Sequence, residues 1–163
     1  MGIPKQYWLE DFDQTDYILI AIHSSRKEDY KVVYSINTHL QIWLAREAED
    51  LSMHYEEGVA HFSHFHYQDE DNHVIWKVVS NKAFIKPDND MNSPLFSGRN
   101  HAVTKQGYLM PELKNVDYFI KIENVDTCFE IGKIIEQLNT IKIFSTAYEI
   151  SQEKIKNKNH LIF

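Results

Sequence analysis

Covalent cross-links are the first thing this sequence goes without. One residue of 163, Cys128, is cysteine. A lone thiol makes no internal disulfide, rules out a multi-cysteine zinc site and suits a reducing cytoplasm. Glycine is scarce too: there are five, none of them in a G-x-G-x-x-G or Walker arrangement, so a glycine-built phosphate cradle is not expected. No G-x-S-x-G elbow and no H-E-x-x-H helix occurs. No apolar run approaches the roughly 18 residues a membrane-spanning helix needs; the longest, Tyr17–Ile22, is strand-sized. Positive charge is in deficit, 17 Lys and Arg against 24 Asp and Glu for a net −7. That balance argues against nucleic acid or an anionic membrane as the main partner. The local basic cluster at Lys154, Lys156 and Lys158 reads as a solvated tail. The opening Met1–Trp8 lacks a signal-peptide pattern, and Gln6 stands where a myristoylation motif has Ser or Thr.

What remains is an ordinary globular composition, 43% apolar and 25% charged, in a chain long enough for one core. The expected organisation is a single domain 1–163: a leader over 1–15, an α+β core over 16–150 and a tail over 151–163. Asp16–His23 reads as a strand with both faces apolar (Ile18, Ile20 and Ile22 against Tyr17, Leu19 and Ala21), so it belongs inside a covered sheet. Ser25–Glu28 matches a capping box. Tyr30, Val33, Ile36, Leu40, Leu44, Ala48 and Leu51 then step by three or four, which predicts an amphipathic helix of about six turns. His61–Tyr67 and His73–Ser80 flank the polar loop 68–72 as a hairpin. Residues 81–106 show little periodicity and read as a long loop. Thr127–Glu130 offers a second capping box before a stripe of Ile131, Ile134, Ile135 and Leu138. Gly132 within that stripe suggests close packing on the sheet. Ile141–Ile150 is the last expected strand, and the apolar Leu161–Phe163 suggests a docked terminus.

Between the long loop and the second helix lies Gly107–Glu123. It turns at Gly107, breaks at Pro111 and then alternates, Val116, Tyr118, Ile120 and Ile122 on one face with Asp117, Lys121 and Glu123 on the other. Within it, Met110-Pro-Glu-Leu-Lys-Asn-Val-Asp-Tyr118 resembles the signature of the bacterial IPExxxVDY family, with Met110 at the position of Ile. The resemblance covers nine residues. It implies a bacterial protein and makes Pro111, Glu112, Asp117 and Tyr118 signature positions, without an assigned chemistry.

The element order suggests a ferredoxin-like βαβ(β)βαβ two-layer sandwich with the loop 81–106 inserted. The first strand and the signature strand would sit side by side at its centre, with both helices on one face. The uncovered face would need another cover, from a partner, the leader or the long loop.

Histidine is the strongest lead toward chemistry. His61, His64 and His66 fall within six residues, and on one strand His64 and His66 would share a face as candidate zinc or copper ligands lacking a third. Asp88–Asn92 begins like a calcium loop but has Ser93 at its sixth position and Arg99 at its twelfth, which removes it. Ser97–Asn100 is a candidate anion nest. Cys128, at a predicted helix start, is a candidate reactive thiol whose bland alternative is packing. In the signature, Glu112 is expected to accept backbone amides in the turn and Tyr118 to fill the core; the functional alternative is a polar pocket formed by Glu112, Asp117 and Tyr118.

These readings favour a cytoplasmic binding module for a partner protein, a second copy of itself or a small ligand, with no cofactor and no metal. The contrasting expectation is an enzyme whose site joins the hairpin 61–73 to the signature strand 107–123. That requires His64 or His66 to meet Glu112 or Asp117 in one hollow.

Overall fold

The computed structural model describes residues 17–87, 105–156, 158–161 and 163. The leader 1–15, Asp88–Asn92 and Ser97–Asn100 lie outside the described residues.

Among the described residues ten strands and two α-helices form three layers. The middle layer is a six-stranded sheet of β1 (Tyr17–Ser24), β2 (Ala45–Arg46), β5 (His64–Gln68), β6 (Ile75–Ser80), β9 (Tyr118–Glu123) and β10 (Phe144–Glu149), ordered β10-β1-β9-β6-β5-β2. The second sheet holds β3 (Leu51–Tyr55), β4 (Gly58–Phe62), β7 (Lys82–Lys86) and β8 (Gln106–Tyr108), ordered β3-β4-β7-β8. Helices α1 (Asp29–Leu40) and α2 (Ile131–Asn139) cover one face of the six-stranded sheet.

The apolar doubling of the first strand has the predicted result. β1 lies between β10 and β9; Ile20 and Ile22 face the helices, while Leu19 and Ala21 face the second sheet. β9 divides likewise: Tyr118, Ile120 and Ile122 go to the helical side and Phe119 to the other. Val116 precedes the strand and joins the second core, not the face of Tyr118. Fully burying each such side chain contributes about 1.5–3 kcal/mol, which pins β1 and β9 at the centre.

The α+β class holds, while the structure is larger than the expected two-layer ferredoxin-like sandwich. β1 and β9 are neighbours as expected and pair antiparallel (Tyr17 opposite Glu123, Ile22 opposite Tyr118), with both helices on one face. A third layer exceeds that sandwich. Its cover comes from the chain itself: Phe62 of β4, Ile85 of β7, and Ile155 and Leu161 of the tail fill the second face. The supposed loop 81–106 contributes β7 and the start of β8.

Helix α1 is half its expected length. It stops at Leu40, with Gln41 left-handed at φ 55°, and Asn37 ends it. The Asn37 amide accepts from Leu44 N–H at 2.9 Å and donates to Leu44 C=O at 3.1 Å, folding the chain back. Leu44 is buried through that reversal, and Leu51 lies in β3. Tyr30, counted on the apolar stripe, is exposed, while Val32, Val33 and Ile36 are the residues buried. Asn139 repeats the clamp after α2, accepting from Ala147 N–H at 2.8 Å and donating to Ala147 C=O at 2.9 Å. That bond pair also engages the outer edge of β10, where another strand would otherwise add.

Neither capping box forms. The helices start after Glu28 and Glu130, with no side-chain cap; Ser25 Oγ donates to Ile143 C=O at 3.0 Å instead. Gly132 faces open space, not the sheet. The glycine that does meet backbone closely is Gly58, at φ 145°, where a Cβ would lie 2.0 Å from Lys86 O.

Candidate functional site

The hairpin His61–Tyr67 is broken at Ser63. β4 belongs to the second sheet and β5 to the first, so the chain changes sheets at that residue. The return strand changes sheets at Asn81, between β6 and β7. Where strands turn such a corner, backbone groups leave their ladder and need new partners. Buried polar side chains supply them. Ser80 Oγ accepts from Ser63 N–H at 3.1 Å, and Ser63 C=O accepts from Ser80 N–H at 3.0 Å.

Asn81, 0% exposed, binds the signature. Its amide donates to Leu113 C=O at 2.8 Å and Val116 C=O at 2.9 Å, and its Oδ1 accepts from Met110 N–H at 2.8 Å. Its backbone N–H donates to Asp117 C=O at 2.8 Å, and its C=O accepts from Leu109 N–H at 2.9 Å. All of the segment between Leu109 and Asp117 is thereby tied to one side chain and its peptide.

Within that segment Pro111 opens a 3-10 turn, Pro111–Leu113. Glu112 reaches the tail and accepts from Lys156 N–H at 3.2 Å, a backbone amide as expected, though not one of its own turn. Asp117 is held on both oxygens, by Lys82 Nζ at 2.7 Å and by Ser24 N–H at 2.8 Å. Tyr118 is 3% exposed, and its phenol donates to Asp29 Oδ1 at 2.7 Å. Asp29 Oδ2 accepts from Ser63 Oγ. Burial first, then the bond to Asp29, pushes the Tyr118 phenol well above its ordinary pKa. It is a fixed donor, not a base.

Asp117 and Tyr118 line a cleft of about 230 Å³ between the start of α1 and strands β7 and β8, together with Arg26, Lys27, Lys82, Phe84 and Gln106 among others. At about 30 Å³ per molecule of liquid water, it has the capacity of roughly eight waters. Glu112 is not among its lining residues, so the imagined pocket of Glu112, Asp117 and Tyr118 keeps two of its three members.

The histidines go elsewhere. His61, on β4, meets Ser52 Oγ at 2.8 Å through Nδ1, and His66 Nδ1 lies 3.7 Å from Glu47. His64 packs edge-on against Phe163, ring centroids 5.6 Å apart, with Nε2 buried and lacking a hydrogen-bond partner. Among the described residues no three His, Cys, Asp or Glu side chains gather as metal ligands. Neither His64 nor His66 lines the cleft that holds Asp117.

The tail takes the place beside them. Lys121, 6% exposed, donates to Leu161 C=O at 2.8 Å, and Lys77 donates to the Phe163 backbone oxygen. The two lysines oppose each other on β6 and β9 and share Glu123, at 3.1 Å and 2.6 Å. The docked terminus is thus on the second face of the central sheet.

Desolvation lowers the His64 pKa from 6.5; Glu47 and Asp50 oppose this weakly, Lys77 and His66 add to it. The folded protein therefore resists protonation that the unfolded chain accepts. The stability this contributes is complete above pH 6.5 and is lost as pH falls below it. Between pH 7 and 5, above the carboxylate range, wild-type melting temperature should fall more steeply than that of His64→Phe, which keeps a ring against Phe163. Equal slopes in paired melts would contradict the burial of Nε2.

Two other hollows lack this convergence. One of about 320 Å³ lies where the β5–β6 turn meets the approach to α2, beside Trp76, Asp126, Cys128 and Phe129. Cys128 is exposed there, its N–H donating to Asp126 Oδ1 at 2.9 Å. The other, of about 420 Å³, is open and runs along Tyr17 and Glu149–Gln152.

No described helix is long and apolar enough to cross a membrane. No family model matches the chain, and comparison with curated proteins and with solved structures returns no match.

Proposed function

We propose that this protein is a cytoplasmic, non-enzymatic binding module, with kinship to the IPExxxVDY family on its signature, and that the cleft beside Asp117 and Tyr118 takes a small ligand. The observation that carries this reading is the presence of Asp117 and Tyr118 in one hollow whose reactive-looking groups are already engaged. Asp117 holds Lys82 and Ser24, Asp29 holds Tyr118 and Ser63, and the phenol is kept protonated. Catalysis by proton transfer or nucleophilic attack calls for a base free to act and a nucleophile within its reach. Among the described residues the cleft's lining has neither histidine nor cysteine. A partner protein or a second copy would use a broad apolar surface; a hollow of about 230 Å³, below the drug-sized range, suits a fragment-sized molecule instead.

A fragment screen followed by amide NMR tests the reading. Small molecules should shift the signals of Ser80, Lys82, Gln106, Asp117 and Tyr118 and be recovered chemically unchanged. Absence of any response around the cleft, or conversion of a bound compound, would overturn it.

A further inference from the structure

We infer that the cleft is selective for an aromatic oxyanion: a small molecule with a carboxylate or phosphate head and a flat ring. This rests on the cleft being a binding site and adds the chemical class of its ligand.

The polar groups of the cleft divide into those already engaged and those still free to bind. Among the described residues every carboxylate oxygen lining the cleft already has a donor: Lys82 and Ser24 N–H on Asp117, Tyr118 and Ser63 on Asp29. An incoming cation would share oxygens already neutralised by these donors and would meet the like charge of Lys82 beside Asp117. The positive side is different. Lys82 is committed to Asp117, but the side chains of Arg26 and Lys27 make no hydrogen bond or ion pair among the described residues, although both line the hollow and both are exposed. The unsatisfied charge of the cleft is therefore positive, in a chain whose net charge is −7. Attraction of the whole molecule for anions is thus weak, and the preference has to be local. Arg26 offers a planar donor fork suited to two oxygens at once.

The ring follows from Phe84, which lines the same hollow while 63% exposed. A large aromatic left open beside two uncommitted cations supplies an apolar wall that an inorganic anion would not use. Gln106 adds a neutral amide at the same opening.

Binding of phenyl phosphate, benzoate and benzylammonium at low ionic strength, read by calorimetry and amide NMR, tests the inference. Phenyl phosphate or benzoate should bind and shift the cleft amides, and their ratio reports which head is preferred. Benzylammonium should not bind. The double variant R26E/K27E should weaken the oxyanion on the order of tenfold with an unchanged melting temperature, since neither side chain is bonded to the fold. Phe84→Ala should weaken it further than it weakens inorganic phosphate. Equal affinity for benzylammonium, binding that survives R26E/K27E, or silence from both oxyanions overturns the assignment. If neutral or cationic fragments occupy the cleft in the screen described above, the binding site stands and the oxyanion class alone falls.

Discussion

Asn81→Ala is expected to cost about 3–5 kcal/mol, because Met110 N–H and Val116 C=O each lose a buried partner worth about 1–3 kcal/mol when left unsatisfied, while half-buried Leu113 C=O keeps only its bond from Val116 N–H. For a domain of this size that corresponds to a fall in melting temperature of roughly 10 °C or more. The cost comes from burial: Asn81 is 0% exposed, so bulk water cannot replace the lost amide without a cavity opening. Asn81→Asp is the sharper variant. It is nearly isosteric and keeps the acceptor for Met110 N–H, but sets a carboxylate against two carbonyl oxygens where an amide donated at 2.8 and 2.9 Å. It should therefore destabilise at least as much as alanine despite filling the same volume. Denaturant and thermal melts of both variants decide this, and a loss of under about 1 kcal/mol, the worth of one ordinary hydrogen bond, would show that Asn81 does not hold the signature loop.

That residue also marks the limit of what the sequence discloses. An apolar run on both faces made β1 legible, because a strand buried on both faces has few alternatives, and alternation did the same for β9 and the β5–β6 hairpin. Both helices sit on the expected side of the sheet. The chain's changes of sheet at Ser63 and Asn81 were not legible. A buried asparagine serving five hydrogen bonds has the same one-letter appearance as one in a solvated turn, and only the three-dimensional corner tells them apart. The predicted six-turn helix failed for a related reason. Leu44 and Leu51 keep the helical spacing by coincidence, whereas the stop is made by Asn37, which reaches seven residues ahead to Leu44. Local pattern did not contain that contact. The matching clamp from Asn139 to Ala147 offers a usable signal: an asparagine near a helix end, followed some seven or eight residues on by a residue entering a strand.

The candidate site was half legible. Asp117 and Tyr118 drew attention through the signature, and they do line one cleft. Arg26, Lys27, Lys82 and Phe84 did not, because they come from segments far apart in sequence and meet only through the antiparallel pairing of β1 with β9 and of β6 with β9. The histidines misled for the opposite reason. Closeness along the chain suggested a cluster, but Ser63 lies between His61 and His64 and sends them to different sheets.

Tyr118→Ala should be comparably damaging, about 3–5 kcal/mol, the usual cost of removing a buried aromatic side chain from a core. Tyr118→Phe separates packing from polarity. The ring stays among the residues under α1, while Asp29 Oδ1 loses the donor held at 2.7 Å. A carboxylate left short of one partner in a half-buried place should cost about 1–2 kcal/mol, so phenylalanine should recover more than half of what alanine loses. The same pair tests the role of the phenol. A group whose pKa is raised by burial and by a carboxylate should stay protonated until the fold is lost, so its ultraviolet titration should coincide with alkaline unfolding and be missing from Tyr118→Phe. Ionisation of Tyr118 in the folded protein near pH 10, the ordinary value for a phenol, would mean that the hydroxyl is solvated. The tie between the signature strand and the first residue of α1 would then be absent, and with it the wall that closes the cleft on that side.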